Sequence, residues 1–303
     1  ILDEYPGDRM LVGEDDNIDY MGNGNDELQL VFNFPLMRTE RLTPGHVRKN
    51  QEERLARLDA LPVRGWGCNT LGNHDSSRLL TRYGDGLHDE ALARLHLALV
   101  LTLRGTPFLY NGEEIGMADL AIADPAKLRD TMATWYYQAQ VNDLKVDPAE
   151  AARRAGRMSR DKNRTPLQWS GEANGGFCPA GATPWLPVHP NFAAGINVAA
   201  QEADPGSLLN FYRRLLGLRK GTPALVEGEY RPLHEKAKGY LAFLRQTEGQ
   251  TVLVVLNFSA KPLKLDFSEV SSRPARGIFP AEGPIDLARL AVGPFEAWII
   301  QVD

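Results

Sequence analysis

The chain has 303 residues, of which 43% are hydrophobic and 24% are charged, and its formal net charge is -5 at pH 7. This balance excludes a disordered or fibrous protein, and it provides no basic surface for nucleic acid or for an anionic membrane. The longest apolar stretch, residues 92–105, is interrupted by Arg94 and His96 and is too short to span a bilayer. We therefore expect a soluble globular protein with a neutral substrate.

The start of the chain and its cysteines bear on cellular location. Residues 1–10, ILDEYPGDRM, contain no basic region, no apolar stretch and no initiator methionine, so we expect that further sequence precedes them. Two cysteines, Cys68 and Cys178, are too few for a disulfide framework, and nothing in the sequence indicates that they pair. These features favour a cytoplasmic protein.

Short apolar runs alternate with helical patterns over the first two-thirds of the chain, which is typical of βα units around a parallel sheet. Four runs predict strands, and each changes from apolar to polar residues at its end: RMLVGE (9–14), LQLVFNF (28–34), RGWGCNTLGNHD (64–75) and TPFLYNGEE (106–114). Four strands of this kind are too few to close a barrel.

Two helices are predicted between these strands. Residues 43–62 place leucines on a charged background, with Pro44 near the start and Pro62 as the stop. Residues 88–105 carry leucines at a spacing near 3.6, and Gly105 is placed to end the helix. Each helix is long enough to cover one crossover between parallel strands.

A helical region, a loop region and a final helix are predicted after the fourth strand. Residues 119–158 predict a mostly helical insertion, and residues 160–200 are loop-like. A final amphipathic helix is predicted over 204–220, with Asp204 as the N-cap and Pro205 at the first position.

After Pro223 the pattern changes to antiparallel strands. Residues 239–259 predict two strands joined by a glycine-containing turn, and residues 295–303 predict a closing strand. We therefore predict a parallel α/β domain over residues 1–222 and a small antiparallel β-sandwich over residues 223–303.

Ligands of parallel α/β folds bind at the carboxyl ends of the strands. The predicted strand ends carry these residues: Glu14, Phe34, His74, Asp75, Glu113 and Glu114. Each has an ordinary alternative, because an acid after a strand is often a cap, a single histidine is often structural, and Asp75 and Arg78 are spaced for an ion pair. Together they favour a site that cleaves glycosidic bonds, which needs two flanking carboxyl groups.

Four motifs in a fixed order carry a family resemblance. LVGE, LGNHDSSR, GTPFLYNGEEIGM and RDKNRTPLQW resemble consecutive motifs of the α-amylase superfamily, glycoside hydrolase family 13, and most of all its α-glucosidase and oligo-1,6-glucosidase branch. The resemblance covers nearly the whole chain. It implies an α/β fold made of strands five to eight of a (β/α)8 TIM barrel, followed by a small antiparallel β domain.

The resemblance also implies roles for individual residues. Glu14 is expected to be the general acid/base at the end of barrel strand five, and Asp75 the catalytic carboxylate that stabilises the oxocarbenium-like transition state. The residues expected to bind substrate are His74, Arg164, Phe34 and Arg78. No metal site and no cofactor are expected in this chain, and a structural calcium would belong to the part of the enzyme that these residues do not contain.

The nucleophile of the family is not found in this sequence. It is an aspartate at the end of strand four, with an arginine two residues before it, and only 13 residues precede Glu14. We therefore expect the isolated chain to be inactive and to have exposed sheet edges. Its expected partners are an oligosaccharide or disaccharide, and either the other half-barrel or a second copy of the chain.

Three functions remain open at this point. The favoured one is the C-terminal part of a retaining α-glucosidase that releases terminal α-linked glucose from short oligosaccharides. A non-catalytic amylase-like scaffold, such as the ectodomains of amino-acid transporter heavy chains, is the second, although such relatives tend to lose the acid that Glu14 supplies here. The third is an isomerase or transglycosylase of the same family, such as a sucrose isomerase or a trehalose synthase.

Overall fold

The computed structural model describes Glu4 and residues 6–302, which form two compact units. The first unit takes its residues from Ile1–Leu71, Arg94–Phe108 and Arg214–Asp303, and the second from Gly72–Ala93 and Leu109–Arg213. The boundary predicted at residue 222 stays a prediction.

The strands and helices of the described residues are given in chain order. The strands are β1 (Val12–Gly13), β2 (Leu30–Val31), β3 (Cys68–Thr70), β4 (Thr106–Phe108), β5 (Glu229–Leu233), β6 (Tyr240–Gln246), β7 (Thr251–Asn257), β8 (Leu263–Leu265), β9 (Ala275–Phe279), β10 (Gly283–Ile285), β11 (Leu290–Val292) and β12 (Ala297–Gln301). The helices are α1 (Phe34–Met37), α2 (Pro44–Asp59), α3 (Leu79–Tyr83), α4 (Asp89–Thr102), α5 (Thr131–Asn142), α6 (Pro148–Met158), α7 (Val198–Ala203), α8 (Leu208–Lys220) and α9 (Pro223–Glu227). Over the part of the chain that the structure describes, no helix is long and apolar enough to cross a membrane.

Strands β1 to β4 are parallel neighbours in chain order within the first unit. Val12 of β1 pairs with Leu30 of β2, and β3 pairs in the same direction with β4. A parallel bridge between Phe32 and Cys68 joins the two pairs. Each strand is shorter than its apolar run, because the polar residues at the carboxyl end of the run belong to the loops. The order and direction are those of successive strands in a barrel.

Helix α2 packs against β2. Its N-cap is Thr43, whose hydroxyl oxygen accepts a hydrogen bond from the main-chain N–H of His46 at 3.2 Å, and Pro44 is its first residue, as predicted. Buried side chains of the helix, Leu55 and Leu58, pack with Val31 of β2. This packing fixes the strand against its crossover helix.

The last turn of α4 receives its hydrogen bonds from two arginines of the first unit. The guanidinium of Arg219 donates to the main-chain oxygen of Leu101 at 2.6 Å, and that of Arg245 donates to Thr102 at 2.6 Å. Arg245 is fully buried, and burial lowers its pKa to about 9. Positive charge at a helix C-terminus is stabilising because it opposes the partial negative charge of the free carbonyls.

Gly105 does not end α4, contrary to the prediction, because the helix ends three residues earlier, at Thr102. Gly105 has a φ of 126°, and a Cβ at this position would lie 2.8 Å from the main-chain oxygen of Gly67. The glycine is therefore required for the close approach of the chain to the start of β3.

The C-terminal part of the first unit is antiparallel. Its six-stranded sheet has the order β10-β9-β12-β7-β6-β5, and β8 pairs with β11 in a separate two-stranded sheet. The two strands predicted within residues 239–259 are β6 and β7, and the predicted closing strand is β12. Residues 223–227, at the start of the predicted antiparallel domain, form helix α9.

The second unit is mostly helical and loop-like. Helices α5 and α6 lie in the predicted insertion, and a core that includes Ile122, Ala133 and Ala155 packs between them and the preceding loop. Short 3-10 turns account for most of the helical residues in 160–197, as expected for a region rich in glycine and proline.

The predicted start of the helix over 204–220 is wrong. Helix α8 begins at Leu208, and Asp204 instead follows α7 and accepts a hydrogen bond from the N–H of Gly206 at 2.8 Å. The hydroxyl of Ser207 accepts from the N–H of Asn210 at 3.2 Å and so supplies the cap. An aspartate followed by proline fits both a helix start and a turn, and here the turn is formed.

Candidate active site

The loop that follows β3 exposes His74 and Asp75. The side-chain oxygen of Asn73 accepts a hydrogen bond from the N–H of Asp75 at 3.0 Å, which closes a tight turn at the start of the loop. His74 Nε2 lies 3.4 Å from Asp75 Oδ1. The turn therefore presents an imidazole and a carboxylate to solvent side by side.

Two arginines from residues 160–164 contact the Asp75 carboxylate. Arg164 donates through Nη2 to Asp75 Oδ1 and through Nε to the main-chain oxygen of His74, at 2.8 Å for the second bond. Arg160 Nη1 lies 3.4 Å from the same carboxylate oxygen. His74, Asp75 and Arg164, all predicted site residues, are thus in direct contact within the second unit.

Arg160 is fixed from its other side by Asp130. Its Nη2 and Nε lie 3.1 Å from the two carboxylate oxygens of Asp130, which is buried. Asp130 is also the N-cap of α5 and accepts from the N–H of Met132 at 3.1 Å. The hydrogen bonds from Arg160 hold the pKa of Asp130 at about 2, although burial acts in the opposite direction.

Arg78 is buried, with 2% of its surface exposed. Its guanidinium donates to the main-chain oxygen of Asn111 at 2.8 Å and lies 4.8 Å from the ring centroid of Tyr110. Among the described ion pairs of Asp75, the basic partners are His74, Arg160 and Arg164, so the spacing of Asp75 and Arg78 does not produce the ion pair considered above. This environment favours support of the 110–111 segment over direct contact between Arg78 and a substrate.

Glu113 is a buried carboxyl group beside the start of the His74 loop. Burial raises its pKa to about 8, while the N–H of Tyr110, 3.2 Å from Oε2, and the charge of Arg78 act to lower it. Its Oε1 has no hydrogen-bond partner among the described residues. A Cβ at Gly72 would overlap Oε1, so glycine is needed there for the loop to pass the carboxyl group.

Glu14 lies in the first unit, directly after β1, and is exposed. The loop that follows it is held at Asp16, whose main-chain oxygen accepts from Arg54 Nη1 at 2.5 Å and whose carboxylate pairs with Arg38. The predicted acid therefore stands at the carboxyl end of a parallel strand, on an anchored loop, and is open to solvent.

Phe34 is in the first unit too, at the first position of α1, and only 9% of its surface is exposed. Its ring stacks on Phe32 with centroids 5.2 Å apart, and Phe32 meets Phe108 edge-on at 5.0 Å. These contacts occupy much of the ring. Contact between Phe34 and a sugar stays a prediction.

Sequence reasoning missed Arg160 and Asn163, and it named Glu113 only as an acid at a strand end. Arg160 and Asn163 lie in the RDKNR segment, which also contains Arg164. The concentration of charged and amide side chains in this segment was the signal that the sequence offered for them. Glu113 stands in GTPFLYNGEEIGM, where an acid directly after an apolar strand was visible but its burial was not.

Comparison with known proteins identifies two family matches. The family described as "Alpha amylase, catalytic domain" matches residues 1–228, and the one described as "Maltogenic Amylase, C-terminal domain" matches residues 230–299. These two matches cover the barrel strands and the antiparallel sheets, respectively.

Three relatives illustrate the similarity. The probable oligo-1,6-glucosidase 2 of Bacillus subtilis strain 168 is 33% identical over 267 residues, which are 83% of this chain and 47% of the relative. An α-glucosidase of Pediococcus pentosaceus is 31% identical over 97% of this chain and 55% of its own length. The crystal structure of the trehalulose synthase from Pseudomonas mesoacidophila MX-45 has a TM-score of 0.76 and 32% identity, over 91% of this chain and 51% of that one. The chain spans about half the length of the curated relatives it matches.

Proposed function

Because this chain belongs to the α-amylase family of glycoside hydrolases, we propose that it supplies two carboxyl groups to the active site of a retaining α-glucosidase. The observation that supports this most directly is the exposed Asp75 carboxylate, aligned by Arg164 and Arg160 and flanked by His74. An acid held in this way beside an imidazole can bind sugar hydroxyls and stabilise positive charge at the anomeric carbon.

In this proposal Glu14 is the general acid/base. It protonates the glycosidic oxygen as the bond breaks and later removes a proton from the attacking water. Its position at the carboxyl end of β1, parallel to the neighbouring strands, supports this role, because sites on such sheets form at that end. Asp75 follows β3, which belongs to the same set of parallel strands.

The substrate, the nucleophile and the partners are parts of the same proposal. The proposed substrate is terminal α-linked glucose of a short oligosaccharide or disaccharide, in keeping with the names of the curated relatives. The nucleophilic aspartate is supplied by a segment outside these residues, which also completes the barrel, and no cofactor is needed. We place the protein in the cytoplasm, where free cysteines such as Cys68 and Cys178 are common.

The first experiment compares the chain with a complemented protein. Alone, the chain should not release p-nitrophenol from p-nitrophenyl α-glucoside above background. With a polypeptide that supplies the other four barrel strands, turnover should appear. Clear turnover by the chain alone would contradict the placement of the nucleophile, and no turnover in a folded complemented protein would favour a non-catalytic scaffold.

The second experiment tests the acid/base. In the complemented protein, Glu14→Gln should lower kcat for isomaltose or maltose by about 10²- to 10⁴-fold, because general acid–base catalysis contributes that much. Azide needs no general base, so it should restore release of p-nitrophenol and yield a glucosyl azide. Glu52→Gln, an exposed glutamate on α2, is the matched control and should keep full activity. Full activity of Glu14→Gln would exclude the proposed role.

An isomerase is the second candidate, because the trehalulose synthase is 32% identical and the oligo-1,6-glucosidase 33% identical to this chain. The two functions differ in products. Incubation of the complemented protein with sucrose should give glucose and fructose from a hydrolase, and an isomeric disaccharide from an isomerase.

A further inference from the structure

The side chain of Asn163 contacts main-chain oxygens of the loop that bears His74 and holds this loop in place. Asn163 is fully buried at the end of a 3-10 turn, Arg160–Asn163. Its Nδ2 donates to the main-chain oxygen of His74 at 2.8 Å and lies 3.4 Å from that of Asn73. The amide therefore contacts the peptide groups on both sides of the His74 Cα.

The main-chain oxygen of His74 has both of its lone pairs occupied. One accepts from Asn163 Nδ2 and the other from Arg164 Nε, each at 2.8 Å. Two donors from neighbouring residues fix the orientation of this peptide plane. Because the plane joins His74 to Asp75, its orientation decides where both side chains point.

Asn163 is itself held by Tyr110. The Tyr110 hydroxyl donates to the main-chain oxygen of Asn163 at 3.1 Å, and the ring of Tyr110 lies under the guanidinium of Arg78. Burial raises the pKa of Tyr110, so the hydroxyl keeps its proton and remains a donor. A continuous set of contacts therefore runs from Arg78 through Tyr110 and Asn163 to His74.

The side-chain oxygen of Asn163 does not explain its presence. Oδ1 is buried and has no hydrogen-bond partner among the described residues. Burial of Oδ1 without a hydrogen bond costs free energy that nothing at this atom offsets. The contacts of Nδ2 with the loop are therefore what this side chain contributes to the structure.

We infer that Asn163, supported by Tyr110, is a positioning residue that sets the geometry of the His74–Asp75 pair for catalysis. The inference rests on the proposed function, since it assigns Asp75 to the transition state. Loss of the Nδ2 donor frees one side of the His74 peptide and lets the Asp75 carboxylate move. Displacement of a catalytic group by about 1 Å costs about 10²-fold in rate.

Asn163→Asp is the sharpest variant, because it keeps the shape but replaces the donor with an oxygen that faces the His74 carbonyl. Asn163→Ala and Tyr110→Phe are milder variants for the case in which the first does not fold. Asn257 is the matched control: it is fully buried and donates to the main-chain oxygens of Lys261 and Gly293 at 2.8 and 2.7 Å, in the C-terminal sheet. Asn257→Asp makes the same chemical change away from the loop.

Hydrogen–deuterium exchange of the chain itself tests the geometry without reference to activity. In Asn163→Asp, the amides of residues 73–78 should exchange about 10- to 100-fold faster, while those of β6 and β7 keep their rates. Asn257→Asp should leave residues 73–78 unchanged. If exchange of residues 73–78 is the same in wild type and in every folded Asn163 variant, the inference is overturned, whatever the activity.

Kinetics of the complemented protein test the catalytic consequence. Asn163→Asp should lower kcat about 10- to 100-fold with KM changed by less than about threefold, and Tyr110→Phe should show a smaller loss of the same kind. Faster exchange with unchanged kcat would overturn a positioning role. If the Asn163 variants exchange faster while the wild-type complex has no turnover, the role of Asn163 in holding the loop is supported and only the proposed function is contradicted.

Discussion

The carboxyl group of Glu113 is buried. The group is neutral at pH 7 because burial raises its pKa to about 8, despite the opposing effects of the Tyr110 N–H and Arg78. A neutral carboxyl beside Gly72 can lie against the loop that bears His74 without placing a buried negative charge there. The sequence motif shows an acid at this position, but its protonation state depends on packing.

The stability of the chain should therefore depend on pH through Glu113. Its folded pKa of about 8 lies above the ordinary value of 4.5, so its contribution is fully present below about pH 4.5 and is lost as the pH rises through about 8. Between pH 5 and 9, the free energy of unfolding should fall by on the order of a few kcal/mol. Glu113→Gln should remove most of this fall.

Urea denaturation at several pH values measures the effect. Glu52→Gln, on the exposed face of α2, serves as the control and should retain the wild-type pH dependence. An equally steep fall in Glu113→Gln would show that another group is responsible.

At this scale the sequence predicts the contact among His74, Asp75 and Arg164 through their family motifs. It does not predict Arg160 or Asn163 as partners of the loop. These contacts join residues 85 to 90 positions apart in the chain and include main-chain oxygens, which leave no side-chain pattern. Their recognition requires the folded geometry.

Among the elements, α5 shows how a helix start is coupled to the candidate site. Its N-cap, Asp130, bonds both to the helix and to Arg160, which in turn contacts Asp75. Asp147 is the N-cap of α6 and is exposed, and its carboxylate accepts only from the N–H of Glu150 among the described side-chain hydrogen bonds. The two caps therefore form a matched pair.

Asp130→Ala should destabilise the chain by about 2 kcal/mol, because it removes a cap and the hydrogen bonds that Asp130 accepts from the partly exposed Arg160. Asp147→Ala should cost about 1 kcal/mol. The difference should shrink in acid: the pKa of Asp130 is lowered to about 2, so its contribution is present above about pH 4 and is lost as the pH falls toward 2. Chemical denaturation of the two variants at pH 7 and pH 3 measures their losses of unfolding free energy. Equal losses at pH 7 would rule out the coupling of Asp130 to Arg160.

The predicted fold class is confirmed at the level of elements. Four parallel strands in barrel order precede an antiparallel domain, and the two family matches cover the same two parts. The errors fall at element ends, where Ser207 rather than Asp204 caps α8 and where α4 ends before Gly105. The end of α4 bonds to arginines more than 100 residues away, which a local pattern does not record. The start of α8 is a choice between two nearby caps, and the local pattern fits both.

For the whole molecule, the exposed edge at β1 has the largest consequence. Within the described residues β1 pairs with β2 alone, and the apolar residues Met10, Leu11 and Val12 are 52%, 43% and 38% exposed. An open parallel edge with apolar side chains is a template for another strand. On the proposed function, we expect this edge to pair either with the complementing half-barrel or with a second copy of the chain.

The chain alone should therefore self-associate at micromolar concentration. Leu11→Lys should shift it toward the monomer, because a charge on an edge strand opposes pairing. Leu87→Lys is the control, since Leu87 is 86% exposed but lies in a loop of the second unit. Sedimentation velocity measures the distribution, and a monomer in the wild type would contradict the prediction.

The end of helix α4 has a consequence for biosynthesis. Its last carbonyls bond to Arg219 and Arg245, which are 118 and 143 residues further along the chain. On the ribosome, this helix emerges long before either guanidinium is made, so its final turn stays open to water or to chaperones until the C-terminal sheet has been translated. A chain interrupted between residues 219 and 245 would contain the donor for Leu101 but would lack the donor for Thr102.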